Sequence, residues 1–359
     1  MKAARYHLQV TGALLVDDVP EPVPGPREVC VRVSHSGICG SDLARYRQLS
    51  RPPPALRELL GTVSPIPGHE ISGVVDQLGP DVPAAWDDGK PILGAHVVVH
   101  PQVACGECSA CLAGYWTGCN HTDRIQLIGL HRDGGFAEYV VVPVDHILPI
   151  PTDRLSLQIA ALAEPLAVAI HSVNLANLTD GSTPICVIGD GPIGLMTARL
   201  LQCRGYRHVN LVGRHPHRLD IGRRMGVDLV QTDDEASAGR QELYDHVFHT
   251  AGTQSALELG MRLLAQGGRM ITIGYLHGAD PGVHAGPFFQ LIRREHSIAG
   301  SCGYTRAELQ EAVVELGEGR INAEALISTV ISLDEIVEKG FEALISGERA
   351  PGKILVKPT

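Results

Sequence analysis

The residues best suited to bind a metal are four cysteines close together in the first half of the chain. Cys105, Cys108, Cys111 and Cys119 follow the spacing C-x2-C-x2-C-x7-C. A tetrahedral zinc ion takes four thiolate sulphurs at about 2.3 Å, and such a set leaves no position open for a reactant. The spacing therefore predicts a closed, structural zinc site. The alternatives are an iron–sulfur cluster, whose ligands are also spaced cysteines, and four ordinary buried thiols.

A second group of metal-ligating residue types is spread more widely. Cys39 begins a polar stretch, His69 and Glu70 are adjacent further along, and Glu164 stands at the start of an apolar helical pattern. A thiolate, an imidazole and one or two carboxylates can hold zinc and leave a position for water or substrate. Such a zinc acts as a Lewis acid that lowers the pKa of a bound alcohol or polarises a carbonyl. These residues therefore predict a catalytic zinc site.

The same residues also have simpler interpretations when each is taken alone. A buried histidine is often only a satisfied core residue, and Glu164 can complement the charge of a helix N-terminus. Asp42 is predicted to orient His69 from outside the ligand set. Whether Glu70 or Glu164 contacts the metal directly stays open. The prediction of a catalytic site rests on the whole group together with the motif that follows.

A glycine-rich loop comes directly after the short apolar stretch 185–188. Its sequence, Gly-Asp-Gly-Pro-Ile-Gly, fits the pattern G-x-G-x-x-G. The glycines permit a tight turn, the close approach of a pyrophosphate and the packing of a helix on a strand, and the helix N-terminus then faces the phosphates. We therefore predict dinucleotide contacts at Gly189, Gly191, Pro192, Ile193 and Gly194.

The end of the next strand indicates which dinucleotide binds. NAD enzymes place an acidic residue about 20 residues further on, where it binds the ribose hydroxyls. Here the strand is followed by Gly213 and Arg214, with Arg218 one helical turn later. Gly213 leaves space, and guanidinium groups suit a phosphate. The sequence predicts NADP as the preferred cofactor and leaves NAD open, unless the arginines are only solvated surface residues.

Two kinds of structure are needed to position these residues. Up to about residue 150 the pattern favours short strands and turns, as in an all-β body. After that, a helical stretch is followed by short buried strands that alternate with helices, at 185–188, 208–212, 227–230, 244–249 and 269–273. This alternation is typical of an α/β fold with a parallel sheet covered on both faces.

Length and composition exclude several classes of function. The chain has 359 residues, with 30 Lys and Arg against 40 Asp and Glu and a formal net charge of −10. This acidic balance argues against a nucleic-acid partner. No apolar run reaches the roughly 18 residues of a membrane span, and the first residues lack the apolar core of a signal peptide. We expect two domains, a cytoplasmic location and no membrane partner.

Together the motifs resemble one family, the zinc-dependent medium-chain dehydrogenases/reductases of the alcohol dehydrogenase superfamily. The similarity is to the sorbitol and threonine dehydrogenase branch, and it covers essentially the whole chain. It rests on the four-cysteine lobe and on the stretches 37–42, 67–70, 134–139, 164–166 and 189–194. The resemblance implies a GroES-like β domain over 1–153, completed by 301–359. It also implies a Rossmann domain over 154–300, with the active site in the cleft and a homodimer or homotetramer.

The resemblance also implies roles for single residues. Cys39, His69 and Glu70 match catalytic zinc ligands, and Glu164 matches a carboxylate that binds zinc directly or through water. Ser41 matches the hydroxyl that relays the substrate proton. The catalytic residues expected on this basis, together with the carboxylate predicted to orient His69, are Ser41, Asp42, Glu70 and Glu164.

Two departures from the family pattern concern the proton relay and the substrate. The family often has a histidine where this chain has Ala44, so Arg45, Tyr46 or water must carry the proton out, or the relay is shorter. Sorbitol dehydrogenases tend to have an arginine where this chain has Gly303, which argues against a linear hexitol. The stretches 43–47 and 164–169 are also similar to cyclitol and aminocyclitol dehydrogenases.

We therefore expect hydride transfer between NADP(H) and a secondary alcohol or ketone of a small polar substrate, polyol-like or an (amino)cyclitol. One alternative is an amino-alcohol dehydrogenase of the threonine type. Others are a non-catalytic protein that binds zinc and dinucleotide, and a quinone or enone reductase of the same fold without zinc. Substrate-pocket residues are expected in the loops 51–64 and 275–289.

Overall fold

The structure of the protein is a computed structural model that describes residues 1–7, 13–49, 65–238, 243–274, 285–346 and 352–358. The predicted pocket loop 51–64 and residues 275–284 of the second predicted loop lie outside these ranges. The chain divides into two compact units. The first unit comprises Met1–Glu164, Thr305–Glu318 and Ile327–Thr359, and the second comprises Pro165–Tyr304 and Gly319–Leu326.

Strands occur along the whole of the described chain, whereas most of its α-helices lie after residue 156. The strands are β1 (Lys2–His7), β2 (Ala13–Asp18), β3 (Glu28–Gly37), β4 (Glu70–Leu78), β5 (His96–Val99), β6 (Gln102–Val103), β7 (Gln126–Leu127), β8 (Tyr139–Pro143), β9 (Ile147–Pro149), β10 (Ile185–Ile188), β11 (Val209–Gly213), β12 (Leu229–Thr232), β13 (Tyr244–His249), β14 (Leu264–Thr272), β15 (Ser297–Gly300), β16 (Ile327–Ser332) and β17 (Lys353–Lys357). The α-helices are α1 (Gly40–Leu49), α2 (Ser109–Leu112), α3 (Leu157–Ala160), α4 (Ala163–Leu175), α5 (Pro192–Cys203), α6 (Pro216–Met225), α7 (Asp233–Ala238), α8 (Gln254–Leu263), α9 (Ala285–Arg293), α10 (Arg306–Gly317) and α11 (Ala343–Ser346).

The first unit is built on a mixed sheet with the order β16-β17-β3-β4-β5-β9, and β8 also pairs with β3. Valines of β3 are buried with apolar residues of β4, β5 and β8, so the sheet has a β-branched core. Such residues suit a pleated, buried surface. The register places Glu70 opposite Gly37, and Leu355 of β17 opposite Gly37 as well. The start of β4, the end of β3 and the middle of β17 therefore lie close together.

The second unit is a six-stranded parallel sheet with the order β12-β11-β10-β13-β14-β15. Its central strand β10 is entirely apolar and buried, as expected for a strand covered on both faces. The strand order reverses between β10 and β13. In such doubly wound sheets ligands bind beyond the carboxyl ends of the strands at this reversal. The glycine-rich loop begins there, directly after β10.

The structure confirms the α/β class and differs from the sequence expectation in three elements. Helix α9 begins at Ala285, so the last residues of the loop predicted over 275–289 are helical. The helix α1 interrupts the predicted all-β body, and its buried residues, Asp42, Tyr46 and Leu49, recur at helical spacing. Strand β16 is largely exposed along its length, so it lacks the apolar alternation that predicts a strand. Of the helices in the described ranges, none combines the length and apolar character needed to cross a bilayer.

Candidate active site

Three metal-ligating side chains meet where β3, β4 and α1 adjoin in the first unit. Cys39 lies between β3 and α1, His69 directly precedes β4, and Glu70 is the first residue of β4. Each of them offers a ligand atom, and these atoms all lie within 4.8 Å of one another. The β3–β4 register produces this meeting, because Glu70 pairs with Gly37, two residues before the cysteine. The structure thus brings together three of the four residues predicted for the open metal site.

The group carries negative charge that favours a bound cation. Asp42 is buried, accepts a hydrogen bond from the Cys39 amide at 3.0 Å, and places its Oδ1 3.6 Å from His69 Nδ1. Burial raises the pKa of the Asp42 carboxyl. Burial alone would lower the pKa of the imidazole, but the charges of Asp42, Cys39 and Glu164 outweigh burial and raise that pKa well above its usual value. The negative electrostatic potential that favours a proton on His69 also favours a zinc ion bound at this position.

Glu70 is fully buried and its two carboxylate oxygens have different surroundings. Oε1 accepts a hydrogen bond from Lys353 Nζ at 2.5 Å, and that ammonium also donates to the Ile38 carbonyl at 3.1 Å. Burial disfavours the ammonium, yet Glu70 and the other anions outweigh it and raise the pKa of Lys353. Among the described residues Oε2 has no hydrogen-bond partner. A Cβ at Gly37 would come within 1.9 Å of Oε2, so only glycine leaves room for this carboxylate.

The remaining predicted catalytic residues lie around this group. Glu164 is in the first turn of α4, and its charge contributes to the raised pKa of His69, although it is not in the three-residue cluster. Ser41 is exposed in the first turn of α1, two residues after Cys39. A soft thiolate, an imidazole and a buried carboxylate oxygen without a partner fit zinc, and three protein ligands leave one position open.

The four clustered cysteines form a separate lobe in the same unit. The short strands β6 and β7 pair at its base, and α2 and two 3₁₀ turns fold the chain between them. Sγ of Cys105 lies 3.7 Å from Sγ of Cys111, and Sγ of Cys108 lies 3.9 Å from Sγ of Cys119. Four sulphurs at 2.3 Å from a tetrahedral zinc stand about 3.8 Å apart. The spacing in the structure therefore fits a closed zinc site.

Backbone amides of the lobe are directed at its sulphurs. Amides of Asn120 and Cys111 lower the pKa of the Cys108 thiol to about 6. Burial has the opposite effect on the pKa of Cys111 and raises it to about 12. Gly106 adopts a left-handed conformation, with φ of 77°, in the turn between the first two cysteines. A bound zinc would supply the positive charge that holds the buried sulphurs as thiolates.

In the second unit, a cavity of about 180 Å³ opens beyond the carboxyl ends of β10 and β11. Gly189 has φ of 127°, and Gly194 packs so closely on the Gly189 carbonyl that a Cβ would lie 1.9 Å from its oxygen. A Cβ at Gly191 would meet nothing within 4 Å, which leaves space beside the backbone. Pro192 and Ile193 form the first turn of α5 after this glycine. The loop thus has the geometry that a pyrophosphate requires.

The predicted cofactor-selecting residues occupy different positions around the cavity. Gly213 and Arg214 line it, whereas Arg218 is not among the lining residues. Arg214 Nε donates to Asp233 Oδ2 at 3.0 Å. Sequence reasoning missed other polar residues of the lining, because they stand at unspecified positions of the glycine motif or outside any motif: Asp190, His215, Asp233, Thr253, Ser255 and Arg262.

The parallel sheet with its glycine loop, and the open donor set on a β domain, define the class as a zinc-dependent, dinucleotide-binding dehydrogenase. Residues 25–152 match the family described as "Alcohol dehydrogenase GroES-like domain", and residues 192–318 match the family described as "Zinc-binding dehydrogenase". The chain belongs to the zinc-dependent medium-chain dehydrogenases/reductases of the alcohol dehydrogenase superfamily, and the predicted enzyme class is confirmed.

Relatives match over nearly the full length. An L-threonine 3-dehydrogenase from Anaeromyxobacter dehalogenans is 30% identical, over 99% of this chain and 98% of the relative. A sorbitol dehydrogenase from Halalkalibacterium halodurans is also 30% identical, over 100% and 99%. Among solved structures, a putative zinc-binding dehydrogenase from Sinorhizobium meliloti 1021 bound to NADP has a TM-score of 0.80 and 30% identity, covering 99% of each chain. A short chain alcohol dehydrogenase from Escherichia coli CFT073 complexed with NADH has a TM-score of 0.82 and 25% identity, covering 99% of each chain.

Proposed function

We propose that this protein transfers a hydride between NADP(H) and the carbon that bears a secondary hydroxyl in a polar, polyol-like or (amino)cyclitol substrate. The observation that supports this most directly is the meeting of Cys39, His69 and Glu70, with the fourth metal position left to the substrate oxygen. We assign this chemistry to the first unit and dinucleotide binding to the second. The proposal includes one catalytic and one structural zinc per chain.

When bound, the catalytic zinc supplies a Lewis acid that polarises the substrate oxygen. Asp42 holds the His69 ring in place, and Ser41 accepts the hydroxyl proton of the substrate and passes it outward. Arg45 and Tyr46 are engaged elsewhere: Arg45 donates to the Gly129 carbonyl at 3.0 Å, and the Tyr46 hydroxyl donates to Glu342 at 2.6 Å. These contacts support a short relay that continues through water.

The preference for NADP is supported by the basic side chains near the cavity. Arg214 and His215 line it at the end of β11, and Arg262 lines it from α8. No acidic residue follows β11 at the position where NAD enzymes bind the ribose hydroxyls. The solved relative from S. meliloti is bound to NADP. Pyrophosphate contacts are assigned to the loop residues Gly189, Gly191, Pro192, Ile193 and Gly194.

The cofactor assignment is tested with the double variant Arg214→Asp, Arg218→Ala. Each lost charge-assisted contact is expected to weaken NADP binding by about 1.5–3 kcal/mol, so the preference should move toward NAD. The measurement is the dissociation constant of NADPH and of NADH, read from nucleotide fluorescence in wild type and variant. Unchanged relative affinities for the two nucleotides would contradict the assignment.

The substrate class is tested by absorbance at 340 nm with NADP and a panel of cyclitols, aminocyclitols and linear polyols. Gly303 has φ of 61°, a conformation that an arginine adopts only with strain, which supports a substrate other than a linear hexitol. We expect turnover with at least one cyclitol or aminocyclitol. Turnover with linear polyols alone would overturn this substrate class and leave the dehydrogenase assignment intact.

A second candidate substrate class is amino alcohols of the threonine type. The observation that favours it is the similarity to an L-threonine 3-dehydrogenase over 99% of the chain. L-Threonine in the same assay separates the two candidates.

We further propose a homodimer or homotetramer in the cytoplasm, and light scattering of the purified protein measures the assembly.

A further inference from the structure

Asp190, the second residue of the glycine-rich loop, has no role in the function proposed above. It is only 6% exposed, although it lines the cofactor cavity. Its Oδ2 accepts hydrogen bonds from the backbone amides of Arg214 and His215, both at 2.7 Å. His215 Nδ1 lies 3.0 Å from the same oxygen, and Arg218 Nη1 lies 3.6 Å from Oδ1. One buried carboxylate thus has four donor groups around it.

These four groups form a binding site for an anion. Two consecutive backbone amides at the N-terminus of a helix, here α6, attract negative charge, and a guanidinium and an imidazole add to the attraction. A phosphate on the ribose 2′ position would use the same kinds of donor. In this protein the chain's own carboxylate already occupies them. Asp190 therefore competes with the 2′-phosphate for its binding groups.

The neighbouring residues agree with this interpretation. A Cβ at Gly213 would lie 2.5 Å from Asp190 Cβ and 2.7 Å from its Oδ2, so the absence of a side chain there makes room for Asp190. Arg214 is directed to Asp233 and also donates to Ser255 Oγ at 3.3 Å. Nε of Arg218 is buried and has no hydrogen-bond partner among the described residues. The cavity is thus lined by two carboxylates, those of Asp190 and Asp233, as well as by arginines.

We propose that Asp190 determines how strictly the protein discriminates NADP from NAD. A 2′-phosphate must displace or approach this carboxylate, which costs electrostatic energy in a partly dry pocket. A 2′-hydroxyl has no such conflict and can donate a hydrogen bond to the same carboxylate. The inference rests on the proposed dinucleotide site. It predicts a preference for NADP over NAD that is weaker than the surrounding arginines alone would produce.

The test is the substitution Asp190→Asn in the full-length, zinc-loaded protein. Asparagine keeps an oxygen that can accept an amide hydrogen bond but removes the negative charge. The dissociation constants of NADPH and NADH are measured by nucleotide fluorescence without substrate. We expect NADPH to bind about tenfold more tightly or better, the factor that corresponds to 1.4 kcal/mol, and NADH to bind no more tightly than before.

Two further variants make the result decisive. Asp220→Asn removes one negative charge from the exposed side of α6, where Asp220 pairs with Arg223, and it should leave both constants unchanged. Asp190→Ser supplies a different small acceptor and should reproduce the tighter NADPH binding if the asparagine variant folds poorly. An NADPH-to-NADH ratio that stays within twofold of wild type in the folded Asp190 variants would overturn the inference.

The same titrations distinguish a failure of this inference from a failure of the proposed function. The wild-type ratio of the two constants tests the preference for NADP, whereas the change of that ratio on substitution tests Asp190. A wild type that prefers NADH, with an Asp190→Asn variant shifted toward NADPH, would overturn the preference and support the inference. If the wild type prefers NADPH and the Asp190 variants have the same ratio of constants as the wild type, the preference for NADP is supported and the inference is overturned.

Discussion

At the scale of single residues, Lys353 is the side chain whose importance to the metal site is least visible in the sequence. Its ammonium forms a buried ion pair with Glu70 across 283 residues of sequence. The pair holds Oε1 and leaves Oε2 without a partner among the described residues. Lys353 thereby fixes the carboxylate in one orientation and offsets part of the negative charge of the cluster.

Lys353→Met is expected to lower the free energy of unfolding by about 3–5 kcal/mol, because it leaves a buried carboxylate without its ion partner. The measurement is urea denaturation of the zinc-stripped protein, in which no cation replaces the lost ammonium. Lys353→Arg retains the charge and is the matched control. A loss below about 1 kcal/mol, the range of an exposed pair, would show that the ion pair does not stabilise the unit.

Residue-level prediction relied on residue types whose chemistry is specific for metal ions. The four clustered cysteines, and the group Cys39, His69 and Glu70, were recognised because thiol, imidazole and carboxylate groups are the ligands that zinc prefers, and the structure brings each set together. Lys353 and Asp190 escaped recognition for a physical reason. Their partners are set by strand register and by the packing of a loop on a helix start, which no local pattern encodes.

At the scale of elements, the cysteine lobe shows how little regular structure a metal site needs. Its strands β6 and β7 have two residues each and its helix α2 has four, and none of these would be stable alone. The buried apolar cluster of the lobe consists of Trp116 and two of the ligand cysteines. We therefore expect the proposed structural zinc to stabilise the lobe.

Cys111→Ser should release the lobe from its zinc, since a hydroxyl is a poor replacement for a thiolate ligand. We expect the zinc content to fall by about one ion per chain and limited proteolysis to cut within residues 105–119, while NADPH binding is retained. Cys203→Ser, which alters a cysteine of α5 in the other unit, is the control. Full zinc content and an uncut lobe in the Cys111 variant would contradict the structural assignment.

Helices and strands were predicted best where the local sequence pattern is strongest. Strand β10 has the bounds expected from the sequence, because a fully buried strand carries a strong local signal. Helix α6 also has strong local signals, since it starts at a proline and ends before a glycine. Helix α1 is polar and begins directly after a metal ligand, and β16 lies at a sheet edge with most side chains exposed. Tertiary contacts, rather than local pattern, determine these two elements.

At the scale of the whole molecule, the proposed function assigns metal chemistry to one unit and dinucleotide binding to the other. The described part of the first unit contains the open donor set and the cysteine lobe, and the described part of the second contains the dinucleotide cavity. Family membership was predictable because several short motifs occur in the right order along the chain. Substrate identity was not, because the predicted pocket loops follow no periodic pattern that links their residues to a ligand.

The central claim is that a zinc ion held by Cys39, His69 and Glu70 is required for hydride transfer. The most direct measurement determines zinc per chain and NADP reduction at 340 nm in the same preparations of wild type, Cys39→Ala and the control Cys203→Ser. We predict two zinc ions and turnover for wild type and control, and one zinc, no turnover and intact NADPH binding for Cys39→Ala. A Cys39→Ala protein that keeps both zinc ions and wild-type turnover would contradict the account.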